Sequence, residues 1–238
     1  MMQNQALNYP QALPEGFVYL KDIDPTIVEE ARYAGCHNFT GHPIPGYLAP
    51  CIIVTNVVAL ALKAVQAELT AFQLTLKVYD GYRPQDAVDS FTTWAEDLSD
   101  QVTKEEFYPA LNKKDVFSAG YIAKRSAHTR GSAVDLTIVP LPLPHQPTWA
   151  PGDPVLDGRL SKGQRFADNS IDMGTGFDCL DTLSHTLNSS LPYHVRVNRL
   201  LLKTLMEKHG FENYWREWWH YGFIKEPYPD TYFNFPVA

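Results

Sequence analysis

Between Ala133 and Val139 the chain alternates, with Val134, Leu136 and Ile138 on one face and Asp135 among smaller residues on the other. A two-residue period predicts a strand with one face in a core, so Asp135 is expected to point away from the apolar layer. Just upstream runs SAHTRGSAVD, with His128 seven residues before Asp135 and Gly131 between them. A glycine lets the backbone reverse, so a His before the turn and an Asp on the following strand can converge on one metal ion.

The rest of the chain supplies elements around that strand. Asp24-Pro25 followed by an apolar-periodic run to Ala34 and then Gly35 predicts a short helix. Val58, Leu62, Val65 and Leu69 fall at helical spacing, and Leu74, Leu76 and Val78 then alternate as a strand that ends near Gly81 and Pro84. Ala87, Phe91, Trp94 and Leu98 restore the helical period, which puts Arg83 at a strand-to-helix junction. Leu200, Leu201, Leu205 and Met206, closed by Gly210, predict a late helix, and Tyr214 to Phe223 is the last strand candidate. From Pro140 to about Ile171, repeated Pro and Gly predict a long loop or insertion. Helices first and strands interleaved later fit an α+β class, a single domain over 1–238 with a small antiparallel or mixed sheet flanked by helices.

Composition narrows the function classes. A net charge of -7 with no cluster of Lys and Arg argues against nucleic acid as partner, because phosphate neutralisation needs such clusters. No apolar stretch approaches the roughly 18 residues of a membrane span, and MMQNQALNYP lacks a secretory signal. A cytoplasmic protein is expected, or a periplasmic one if a leader precedes this sequence. Cys36, Cys51 and Cys179 form no C-x-x-C pair and are expected as thiols; a Cys36–Cys51 bridge would require export.

A second constellation completes the first. In EWWHY, Glu217 and His220 lie three apart among Trp218, Trp219 and Tyr221. Three protein ligands plus a water make a catalytic zinc site, and a nearby carboxylate that does not bind the metal can take the water's proton. His128, Asp135 and His220 are the expected ligands, with Glu217 as base. In a regular strand Glu217 and His220 would face opposite ways, so Glu217 must lie in a turn and the strand must begin near His220. YDGYRP places Arg83 where its permanent charge could stabilise an oxyanion or clamp a carboxylate. G-x-S-x-G, H-E-x-x-H and P-loop signatures are absent from the sequence.

Taken together, NFTGHPIPGY, VYDGYRP, GYIAKRSAHTRGSAVDLTIV, MGTGFD and EWWHYGF resemble the D-alanyl-D-alanine dipeptidases of the vancomycin-resistance type, within the wider zinc D,D-peptidase family. The likeness runs from about Tyr33 to Phe223. It implies one Zn2+ per chain on His128, Asp135 and His220, with Glu217 as catalytic base and Arg83 stabilising the tetrahedral intermediate. It further implies that Tyr33, Ser126 and Asp178 hold the ammonium group of a small dipeptide substrate. Hydrolysis of D-Ala-D-Ala to D-alanine, a cell-wall peptide chemistry, is the implied activity, and a homodimer the implied assembly. The stretch 140–171 departs from compact members and could act as a lid or an oligomer contact. Two competitors share the site: a D,D- or L,D-carboxypeptidase or endopeptidase on longer muropeptides, and a noncatalytic zinc-bearing binding module.

Overall fold

The structure, a computed structural model, describes residues 12–238. The opening residues read above for a secretory signal lie outside the described part. In chain order the elements are β1 (Phe17–Tyr19), α1 (Leu20–Ile23), β2 (Val28–Glu29), β3 (Ile53–Thr55), α2 (Asn56–Thr70), β4 (Leu74–Asp80), α3 (Gln85–Glu96), α4 (Lys104–Phe107), β5 (Ala133–Pro140), α5 (Tyr193–Lys208), β6 (Phe211–Asn213) and β7 (His220–Phe223). Five strands form one sheet in the order β2-β4-β5-β7-β6, and β1 pairs with β3 in a small antiparallel ribbon. Among the described strands of the main sheet, β2–β4 pair in parallel and the other neighbours antiparallel, so the sheet is mixed and the class is α+β.

The alternation in β5 builds the two faces. Val134, Leu136 and Ile138 join Leu76 and Val78 of β4 under Leu62, Val65 and Leu69 of α2 and Leu202 and Met206 of α5. All are fully or almost fully buried, so truncating one, such as Leu62, to Ala is expected to cost about 2–5 kcal/mol. The opposite face of β5 carries Asp135 and Thr137, pointing away from that apolar layer as the period requires. An aromatic cluster that includes Tyr33, Phe39, Tyr47, Phe91 and Trp94 walls this side.

The pairing of β4 with β5 slips between Val78 and Asp80, so two residues of β4 oppose one step of β5 and Asp80 stands opposite Asp135. A bulge of this kind re-aims the side chain that follows it. Asp80 thereby turns to Arg83 and His128 rather than to the apolar layer.

Two expectations are corrected. The helix expected from Pro25 to Ala34 does not form: Val28–Glu29 pairs with β4, and only a 3-10 turn covers Arg32–Ala34. Tertiary contacts override the local period, because Glu30 and Arg32 are drawn into ion pairs with Lys77 and Asp168. The last strand is also shorter than the aromatic run: it starts at His220, and the residues before it form turns.

The stretch 140–171 contains no helix or strand beyond Pro140. It is nonetheless tied down. Lys77, buried in β4, donates to Gln146, Asp168 and Asn169, while Asp168 also accepts from Arg32 and the Tyr79 hydroxyl. Trp149 stacks on His37 at 5.1 Å. All three cysteines are free thiols, with Cys51 and Cys179 buried. No helix among the described residues is long and apolar enough to cross a membrane.

Candidate active site

Three adjacent strands deliver one row of side chains. Asp80 ends β4, Asp135 sits opposite it on β5, and His220 opens β7 directly across from Asp135. His128 comes from the 3-10 turn His128–Arg130. Gly131 follows at φ 68°, a left-handed conformation, and a Cβ there would run into the Phe17 ring. That position therefore requires glycine for both conformation and space.

His128 Nδ1 donates to the Gly81 carbonyl at 2.7 Å, which leaves the lone pair on Nε2. That nitrogen lies 3.2 Å from His220 Nδ1 and 3.4 Å from Asp135 Oδ1, and the latter two atoms are 3.0 Å apart. Burial lowers the His220 pKa, which favours the neutral ring. Burial alone would raise the Asp135 pKa, but His128 and His220 outweigh it and hold the carboxyl well below its ordinary range. Two imidazoles and a carboxylate thus turn three donor atoms toward one point, a set able to hold a metal ion.

Glu217 is buried in the turn before β7, its amide donating to the Tyr214 carbonyl and its own carbonyl accepting from the Asn213 side chain. This is the break from strand geometry that the spacing of Glu217 and His220 demanded. Glu217 Oε2 lies 3.7 Å from His220 Nδ1. Burial, then the charges of Asp135 and Asp178, push its pKa well above the usual carboxylate range. Trp218 fixes the turn by donating from Nε1 to Thr175 Oγ1 at 2.9 Å, which joins the EWWH and GTGFD segments.

Arg83 packs against both the Tyr33 and Phe91 rings, 5.0 and 5.3 Å from their centres. Its Nε donates to Asp80 Oδ2 at 2.9 Å, and Nη2 pairs with Asp80 at 2.8 Å and Asp135 at 3.4 Å. Tyr33 donates its hydroxyl to Asp178 Oδ2 at 2.8 Å. Asp178 adopts a left-handed backbone, φ 57°, and burial pushes its pKa up to about 8. Strained backbone of this kind persists where the surroundings over-determine it. Ser126 Oγ accepts from the His128 amide at 3.2 Å, so it also supports the turn.

Tyr33, Arg83, Ser126, Asp135, Asp178, Glu217 and His220 all line one cleft of about 260 Å³, and buried His128 reaches it through Nε2. No residue of the stretch 140–171 lines it. The residues that sequence reasoning passed over are Asp80 and Tyr47, whose hydroxyl donates to Asp80 Oδ1 at 2.6 Å. Asp80 stands three residues before Arg83 in YDGYRP, a spacing that could have marked it as that arginine's partner.

Such a cleft can hold a metal-activated water beside a proton acceptor and a cation, the equipment for hydrolysing an amide. The family model described as D-ala-D-ala dipeptidase, a group of peptidases, matches residues 14–142 and 160–238 and passes over 143–159. A D-alanyl-D-alanine dipeptidase of Enterococcus faecalis is 38% identical over 95% of this chain and 100% of its own length. One from Streptomyces coelicolor is 37% identical over 93% of this chain and 98% of its length. One from Escherichia coli is 29% identical over 86% and 82%. With matches that span nearly the whole chain and take in every segment of the cleft, this protein belongs to the D-ala-D-ala dipeptidase family of peptidases.

Proposed function

We propose that this protein is a zinc-dependent dipeptidase that hydrolyses D-Ala-D-Ala to two molecules of D-alanine, with His128, Asp135 and His220 as metal ligands. One observation carries the reading. Tetrahedral zinc with bonds of about 2 Å separates its ligand atoms by about 3.3 Å. The three donor atoms here stand 3.0, 3.2 and 3.4 Å apart. Zinc bound there would supply Lewis acidity, lowering the pKa of a coordinated water and polarising the scissile carbonyl.

The chain's own residues do the rest. Glu217 accepts the proton of the attacking water as its oxygen bonds to the carbonyl carbon, and returns that proton to the leaving amine as the C–N bond breaks. Glu217 Oε2 lies 3.7 Å from His220 Nδ1, a position from which one carboxylate can serve both steps. Arg83, fixed against Asp80, presents a permanent charge to the oxyanion that develops on the carbonyl oxygen. Asp178, with the Tyr33 hydroxyl on it, holds the substrate's ammonium, and Ser126 borders the same end. An ammonium-binding carboxylate buried beside the scissile bond favours a dipeptide over a longer muropeptide.

The test is D-alanine release from D-Ala-D-Ala with and without a chelator. Release that stops on chelation and returns with zinc supports the reading. Release unaffected by chelation, or no release with zinc present, removes it.

A further inference from the structure

D-Ala-D-Ala is a zwitterion, and the residues placed so far answer only one of its charges. Its carboxylate must enter a cleft lined by Asp135, Asp178 and Glu217. Desolvating an anion among carboxylates is costly unless a cation meets it. Arg83, paired with Asp80 and Asp135, is already assigned to the oxyanion of the scissile carbonyl. Arg216 lies over the Trp215 ring at 4.7 Å and lines the neighbouring cavity instead.

Arg125 differs from both. It lines the catalytic cleft, is exposed, and makes no ion pair among the described residues. Its guanidinium carbon lies 5.1 Å from the centre of the Tyr232 ring. Tyr232 is held in turn: Arg130 Nη1 donates to its hydroxyl at 3.1 Å, and Arg130 forks onto Glu226 at 2.6 and 2.9 Å. A ring platform orders the guanidinium without neutralising it, so its N–H edge stays available to a carboxylate. Arg125 belongs to the 120–127 segment of the cleft lining, and the Tyr33–Asp178 pair comes from other segments. The cleft thus carries both a carboxylate, on Asp178, and a cation without an ion-pair partner among the described residues, on Arg125.

We propose that Arg125 binds the C-terminal carboxylate of the dipeptide and sets the enzyme's requirement for a free C-terminus, with Glu226, Arg130 and Tyr232 as positioning residues. The proposal rests on the dipeptidase reading of the site.

The test compares the KM for D-Ala-D-Ala with the Ki of D-Ala-D-alaninamide, which lacks the negative charge, as a competitor of the same turnover. Wild type, Arg125→Met, Arg125→Lys and Arg216→Met are measured as the zinc-loaded full chain. Arg125→Met is expected to raise the KM about tenfold or more. Its kcat and its Ki for the amide should stay within about twofold of wild type. Arg125→Lys should recover part of the loss, and Arg216→Met should change neither constant. Equal weakening of acid and amide would reduce Arg125 to a structural role and overturn the proposal. An unchanged KM in Arg125→Met, or an acid-specific loss in Arg216→Met, overturns it too. If the wild type itself releases no D-alanine, the dipeptidase reading fails first and takes this proposal with it.

Discussion

Asp135 and His220 stand directly opposite one another on β5 and β7, with Oδ1 3.0 Å from Nδ1. The pairing register of two strands thus fixes the distance between two donor atoms. A slip of one residue would turn either side chain to the apolar face. His128 enters from a separate turn, held by the Gly81 carbonyl and by Gly131. Two of the three candidate donors are thus placed by the sheet and the third by the turn.

Glu217→Ala should keep zinc and lose turnover, by about 10²–10⁴-fold in kcat. His220→Ala should lose zinc as well, because one of the three proposed ligands is gone. Metal content by atomic absorption beside kcat separates the two; an active Glu217→Ala would remove the base assignment.

Gly131→Ala should destabilise the fold by more than about 1 kcal/mol, since the native φ is positive and the new methyl meets Phe17. The displaced turn carries His128, so zinc should bind more weakly. Thermal unfolding with and without zinc measures both, and an unchanged Tm in both states contradicts the constraint.

N-acetylation of D-Ala-D-Ala should abolish cleavage, because it removes the ammonium proposed to bind at the hydrogen-bonded Asp178–Tyr33 pair. Asp178→Asn should raise the KM for the free dipeptide about tenfold or more. Efficient cleavage of the acetylated dipeptide would favour a carboxypeptidase or endopeptidase instead.

Acid should loosen the anchor of the stretch 140–171. Burial alone would raise the Asp168 pKa, but Lys77 and Arg32 outweigh it and hold the carboxyl below its ordinary range. A depressed pKa contributes stability that is fully present above the unfolded value near 3.9 and is lost as pH falls toward the folded one. Asp168→Asn should therefore cost about 3 kcal/mol at pH 7. That difference should shrink below about pH 4. Denaturant midpoints across pH test it; a difference that grows in acid reverses the sign.

Deleting 143–159 should leave the preference for dipeptide over tripeptide unchanged, because no residue of the stretch lines the cleft. Loss of the Gln146 bond to Lys77 and of the Trp149 stack on His37 should lower stability by about 1–2 kcal/mol. A changed preference would restore the lid.

The parts of this protein legible in its sequence were those written in local period or close spacing. Val134, Leu136 and Ile138 fixed the orientation of Asp135, and the three-residue gap between Glu217 and His220 demanded the turn that is found. The pairings that cross the chain were not legible. Tyr47 reaches Asp80 across 33 residues, and Arg32 reaches Asp168 across 136. No periodicity encodes such contacts, and the second of them is why the helix expected after Pro25 gives way to a strand and a turn. The bulge at Tyr79 was equally hidden, since alternation up to Val78 carries no sign that Asp80 will change faces.

The most direct test starts from metal-free protein and follows D-alanine release from D-Ala-D-Ala as zinc is added. Activity should rise from zero and break sharply at one zinc per chain, with no rise in the His220→Ala variant. Turnover in the metal-free protein, or a His220→Ala variant that titrates like the wild type, would contradict a metal centre on His128, Asp135 and His220.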